Sequence, residues 1–169
     1  MKTSRRTPPD GGADPQRVLD LLAATPREIA RLVLGYSGAD LERPPAPDAW
    51  SARDIVAHLR ACADVWGECI ERMLAKDHPT IRHVSPRGWM TKSGYMKQSL
   101  AVSLAAFTKE RATLVKRLGG RDTAVWARDA RITGKTPGAT ATVLEYAARM
   151  AEHEVGHLGQ LRRTLEGVR

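Results

Sequence analysis

Two histidines four residues apart, His153 and His157, lie on the apolar stripe of the last strongly helical stretch of this 169-residue chain. On that stretch Tyr146, Met150, His153, His157 and Gln160/Leu161 recur at spacings of three and four, which puts them on one helix face. A spacing of four sets the two rings about 6 Å apart, pointing where the stripe points, into a core. A third histidine, His58, falls inside the stripe of another stretch, with Ile55, Leu59, Cys62, Val65/Trp66, Cys69 and Met73. Burying an imidazole among Leu, Met and Val is unfavourable unless its nitrogens find partners. The chain must therefore fold so that these two helices are neighbours. Three histidines meeting there satisfy one another only by hydrogen bonding or by sharing a metal ion. Three neutral imidazoles with a position left open is the layout of a reactive metal rather than a structural one. An isolated H-x-x-x-H pair, by contrast, is common on helices and usually inert.

The rest of the sequence supplies a frame for those two helices. Residues 1–14 are polar, with Pro8-Pro9 and Gly11-Gly12, and read as a disordered tail; residues 15–169 read as one domain. A first helix runs from Pro15 to near Gly35, with a kink or break expected at Thr25-Pro26-Arg27-Glu28, which has the signature of a fresh helix start. Residues 41–50 hold Pro44, Pro45 and Pro47 and read as an extended link. Ser51, with Asp54 three residues on, caps a second helix reaching about Lys76. Residues 77–91 read as a loop, and Ser93 to Leu118 as a third helix ended by Gly119-Gly120. Residues 121–139 form a polar connection with a short extended turn around Val125-Trp126, and Thr142 with Glu145 caps a fourth helix ending near Leu165. Four amphipathic helices predict an all-α bundle.

The net charge of +8 is unevenly placed. Residues 76–135 carry 13 Lys/Arg against four acids (Asp77, Glu110, Asp122, Asp129), a net of +9, so the remainder is near neutral. The basic excess belongs to the third helix and its flanking loops. It reads as a solvated face or as an attractor for an anionic small molecule. Trp89 and Trp126 are the aromatics in that region free of an apolar stripe, a thin signal, and no helix-turn-helix or zinc-finger fingerprint accompanies them. Nucleic acid is not an expected partner. Cys62 and Cys69 lie two turns apart on one helix, about 10 Å along the axis, too far for a disulfide. No apolar run approaches the ~18 residues a membrane span needs, and no secretory leader opens the chain. A reduced, cytoplasmic protein is expected.

Two motifs also match a family. The segment Ala49-Trp50-Ser51-Ala52-Arg53-Asp54-Ile55-Val56-Ala57-His58-Leu59 resembles the W-S-x-x-E/D-h-h-x-H-L segment of the DinB-like superfamily. The run His153-Glu154-Val155-Gly156-His157-Leu158-Gly159-Gln160 resembles that family's H-x-x-x-H-h-x-Q. The resemblance extends over most of residues 15–166. It implies a four-helix bundle of the DinB/YfiT-like type with up-down-down-up topology, a divalent metal held by His58, His153 and His157, and frequently a homodimer. Zinc and nickel are the expected ions, because imidazole suits late first-row metals. Cys62, one turn after His58, is a candidate fourth ligand, although a small core residue is the better reading. His78 and His83 match no ligand of the family and are expected to be solvated. Gln160, Glu152 and Glu154 read equally well as partners of the ligand imidazoles or as surface groups.

For function, the resemblance implies transfer of a low-molecular-weight thiol, of the bacillithiol or mycothiol kind, to a small electrophile. Hydrolysis or isomerisation of small metabolites, or stress-related metal or ligand binding without catalysis, are the alternatives. The basic loops suit an anionic small-molecule substrate. No Asp or Glu stands out in the sequence as a general base.

Overall fold

The second and fourth helices expected from sequence start at the caps expected for them, Ser51 and Thr142. The computed structural model describes residues 12–134 and 139–168, so most of the predicted tail lies outside the described residues. Asp14 caps α1 (Pro15–Val33), accepting from the amides of Gln16 and Arg17. Reciprocal capping boxes start α3 (Ala52–Ala75, Ser51 with Asp54) and α7 (Val143–Glu166, Thr142 with Glu145). Ser99 caps α5 (Leu100–Leu118). Each such cap contributes about 1 kcal/mol by satisfying amides that the first turn leaves unpaired.

These four helices form a ring in which α1 packs on α5 and α7, and α3 packs on α5 and α7. Their apolar faces separate into two clusters. One holds Leu22, Ile70, Met73, Leu118 and Met150; the other holds Ile29, Ile55, Leu59, Phe107 and Leu161. Wholly buried, each side chain of this size stabilises the fold by about 2 kcal/mol. Helices α1 and α7 run from the first cluster to the second, whereas α3 and α5 run from the second to the first. The topology is therefore up-down-down-up. Because α3 and α5 are parallel, the chain between them must return to the other end of the bundle.

That return is more structured than the loop expected from sequence. It contains β1 (Thr80–Arg82) and α4 (Pro86–Lys92), and α4 starts at Ser85 with Pro86 in its first turn. A 3₁₀ turn, Tyr95–Lys97, follows Gly94, which sits in the left-handed region at φ 71°. The third long helix therefore begins at Leu100 rather than Ser93. After α5 come α6 (Thr123–Trp126), which replaces the expected extended turn, β2 (Asp129–Thr133) and β3 (Ala139–Thr142). The strands form a small sheet in the order β1-β2-β3, with β1 parallel to β2 and β3 antiparallel to it. Ile81, Ala130, Ile132 and Ala141 turn from this sheet into the first apolar cluster and close that end of the bundle.

Two further expectations are corrected. Helix α1 passes through Pro26 without a break. Leu22 and Ile29 are buried on either side of the proline, so packing of one continuous face outweighs the local cost of its missing N–H. The link before Trp50 is not wholly extended either, because a one-turn helix, α2 (Gly38–Glu42), forms on a capping box of Ser37 and Asp40.

Candidate metal centre

Between the two apolar clusters lies a polar waist, to which α1 contributes Thr25, α3 His58 and Cys62, α5 Arg111, and α7 His153, Glu154 and His157. His58 sits two turns past the Ser51 cap, on the face of α3 that meets α7. The three imidazoles are mutually packed, with ring centroids 5.2 Å (His58–His153), 5.0 Å (His58–His157) and 4.3 Å (His153–His157) apart. His58 is 6% exposed, and the other two rings are half-buried.

The nitrogens are directed inward. Nε2 of His153 lies 3.3 Å from Nε2 of His58 and 3.0 Å from Nε2 of His157. Nδ1 of His157 is 2.7 Å from Oε1 of Gln160. A carboxamide oxygen only accepts, so Nδ1 carries the proton and Nε2 presents a lone pair to the cluster. His153 has one hydrogen at most on Nε2 and cannot satisfy both neighbours with it, and its own Nδ1 is buried without a partner. Two nitrogens bound to one zinc at about 2.1 Å are themselves about 3.0–3.4 Å apart. The observed spacings suit a shared cation better than a closed ring of hydrogen bonds. Burial pushes His58 down to about 3 and His153 down to about 4, helped in each case by repulsion from neighbouring imidazoles. Burial also lowers His157, against the pull of Gln160. All three are neutral at pH 7, the state a metal requires.

The sequence profile of the DinB superfamily matches residues 5–161. The chain belongs to the DinB superfamily. Among solved structures, YfiT from Bacillus subtilis, described as a probable metal-dependent hydrolase with an unusual four-helix bundle topology, is similar over 94% of this chain and 92% of its own, with a TM-score of 0.74 and 16% identity. At that identity the likeness is one of fold. No curated protein matches the sequence.

Around the cluster, this DinB-superfamily chain places two indoles and a guanidinium. Trp50 stacks nearly parallel to His157 at 6.2 Å and tilts against His58 at 5.0 Å, while Trp66 meets His153 edge-on at 4.9 Å. Arg87, on α4, lies over Trp50, with its guanidinium carbon 5.0 Å from the ring centre. Helix α4 is fixed to α3 by Met90, seated on Ala57 and Ala61, and by Asp64, whose Oδ2 accepts from Trp89 Nε1 and from the Tyr95 hydroxyl, each at 2.7 Å. Trp89 is therefore committed to Asp64, and Trp126 is buried in the first cluster.

The remaining candidates separate clearly. Cys62 is not only a core residue: its Sγ lies 3.5 Å from His58 Nε2, and the ligand atoms of His58, Cys62 and His153 all fall within 4.8 Å of one another. Burial pushes its thiol up to about 12. Gln160 partners an imidazole, Glu152 is exposed, and Glu154 does neither, because it is buried against Arg111. His78 is exposed but pairs with Asp129. His83 lines a cavity of about 420 Å³ with Trp66, Thr140, Tyr146 and Arg149, so it is half-buried rather than solvated. Among the described residues, no helix is long and apolar enough to cross a membrane.

Proposed function

We propose that this protein is a metal-dependent enzyme in which His58, His153 and His157 hold a divalent ion, zinc or nickel, and which transfers a small thiol to an electrophile. The observation that carries the reading is the convergence of three neutral imidazoles with inward nitrogens and no carboxylate among them. An ion held by neutral ligands keeps its positive charge and supplies Lewis acidity, lowering the pKa of a water or thiol that reaches it. The protein's own residues do the rest. Gln160 fixes the tautomer of His157, Trp50 and Trp66 keep bulk water from the flanks of the cluster, and the cavity beyond Trp66 gives room for an electrophile. In the reaction the thiol gives its proton to solvent water, its sulfur bonds to the electrophilic carbon, and the leaving group departs with the electron pair of the broken bond and takes up a proton from solvent. The same proposal includes a homodimer in the cytoplasm.

Hydrolysis is the second reading, favoured by the description of YfiT as a probable metal-dependent hydrolase. Cobalt-substituted protein separates the two. Adding cysteine, glutathione, bacillithiol or mycothiol is expected to raise a near-ultraviolet sulfur-to-cobalt charge-transfer band, most strongly for the physiological thiol. If no thiol changes the spectrum while acetate does, transfer fails and hydrolysis takes its place.

A further inference from the structure

Two arginines stand beside the imidazoles, Arg111 buried in the polar waist and Arg87 over Trp50. Arg111 is neutralised by Glu154 at 2.6 Å. Arg87 is not: among the described residues no carboxylate pairs with it, and its guanidinium is exposed over Trp50, the indole that packs on two of the three imidazoles. It is nevertheless well placed. It stands two residues before Trp89, whose indole is held by Asp64, and three before Met90, which is 5% exposed. Stacking on an aromatic face leaves the edge of a guanidinium, with its fork of N–H donors, free for a planar anion.

We infer that Arg87 selects the substrate: this site takes small molecules that carry a carboxylate beside the group that reaches the imidazole cluster. The inference rests on the metal reading, since a divalent ion on three neutral imidazoles next to an unpaired arginine carries three positive charges, of which a Cys62 thiolate would offset one at most. A carboxylate-bearing ligand supplies the missing charge and matches the fork in two parallel hydrogen bonds. The basic excess of residues 76–135 thus acquires one specific member with a task, while the rest remains a general field.

The test is calorimetric titration of the zinc-loaded full chain with mercaptoacetate and with uncharged 2-mercaptoethanol, in wild type, Arg87→Ala and Arg87→Lys. Wild type is expected to prefer mercaptoacetate by about tenfold, the size of one charge-assisted contact. The preference should shrink as salt is raised. Arg87→Ala should bring the ratio to about one and Arg87→Lys should keep part of it, with zinc content equal in all three. A wild-type ratio of one, or a preference that survives in Arg87→Ala, overturns the inference. A chain that takes up no zinc defeats the metal reading on metal content alone. In that case acetate is titrated against the Trp50 indole N–H resonance, assigned with Trp50→Phe. A saturating shift that disappears in Arg87→Ala then supports the anion contact, and the absence of any shift overturns it.

Discussion

Two polar groups share the waist of the bundle, supplied by consecutive residues of α7, and they behave oppositely. Glu154 turns toward α5, where Nε and Nη2 of Arg111 both lie 2.6 Å from its Oε1 and both side chains are 2% exposed. Arg111 also lies over the Phe107 ring at 4.9 Å. Burial pushes the Glu154 carboxyl up and the guanidinium opposes that shift, while the second carboxylate oxygen, Oε2, is buried without a hydrogen bond. His153 turns toward α3 and meets rings whose lone pairs face its own, with one of its nitrogens unpartnered and with itself and His157 half-buried. A buried polar group is therefore not in itself a site. Charge balance and access separate the two: the ion pair joins opposite charges away from solvent, and the imidazoles, without a counter-charge among them, are reached from the half-buried side.

Breaking the closed group should have the largest effect. Arg111→Met leaves a buried carboxylate without its counter-charge and is expected to cost about 3–5 kcal/mol, whereas Arg111→Met with Glu154→Leu should recover most of it. Urea unfolding of metal-free protein reads both. A single variant as stable as wild type would erase the distinction between the two halves of the waist. Breaking the open group should touch the fold little and binding much. His157→Ala is expected to lower zinc affinity by more than about 100-fold while changing metal-free stability by less than about 1 kcal/mol, because its ring is partly exposed already. Metal analysis alongside the same urea curves checks this, and unchanged zinc content would remove His157 from the ligand set.

The smallest effect is a slope with pH. In the folded state His58 titrates at about 3 and His153 at about 4, below the ordinary value of 6.5. Between those limits the unfolded chain binds protons that the folded one refuses. Stability of metal-free protein is then full above about pH 6.5 and drains away as pH falls toward 4. The double variant of the ion pair should keep that slope, and His58→Leu should flatten it. Equal slopes in wild type and His58→Leu would show that the imidazoles are not the groups excluded from protonation.

Much of this arrangement is legible in the chain. Ser51 with Asp54 and Thr142 with Glu145 announce α3 and α7 to within a residue, and the spacing of His58, His153 and His157 requires those helices to touch. Arg111 carried a readable signal as well, since it falls between Phe107 and Leu114 on the apolar stripe of α5, a place where a charge needs a partner. Ser85-Pro86 was an equally readable start for α4. The sheet was not, because three residues of β1 are too few to show alternation and their partners in β2 lie far along the chain. Nor could spacing alone reveal Asp64, whose two hydrogen bonds run to residues 25 and 31 positions away.

One of those distant connections bears on the order in which the protein emerges from the ribosome. Arg128 donates to the carbonyls of Met73 and Lys76, the last acceptors of α3, from 55 and 52 positions downstream. At ~5–20 residues per second, α3 waits roughly 3–11 s for the side chain that finishes its end. His58 waits longer still, since His153 follows it by 95 positions. For that whole interval the nascent chain carries His58 and Cys62 on one helix without the two histidines of α7, and a metal ion captured then would be held by the wrong partners.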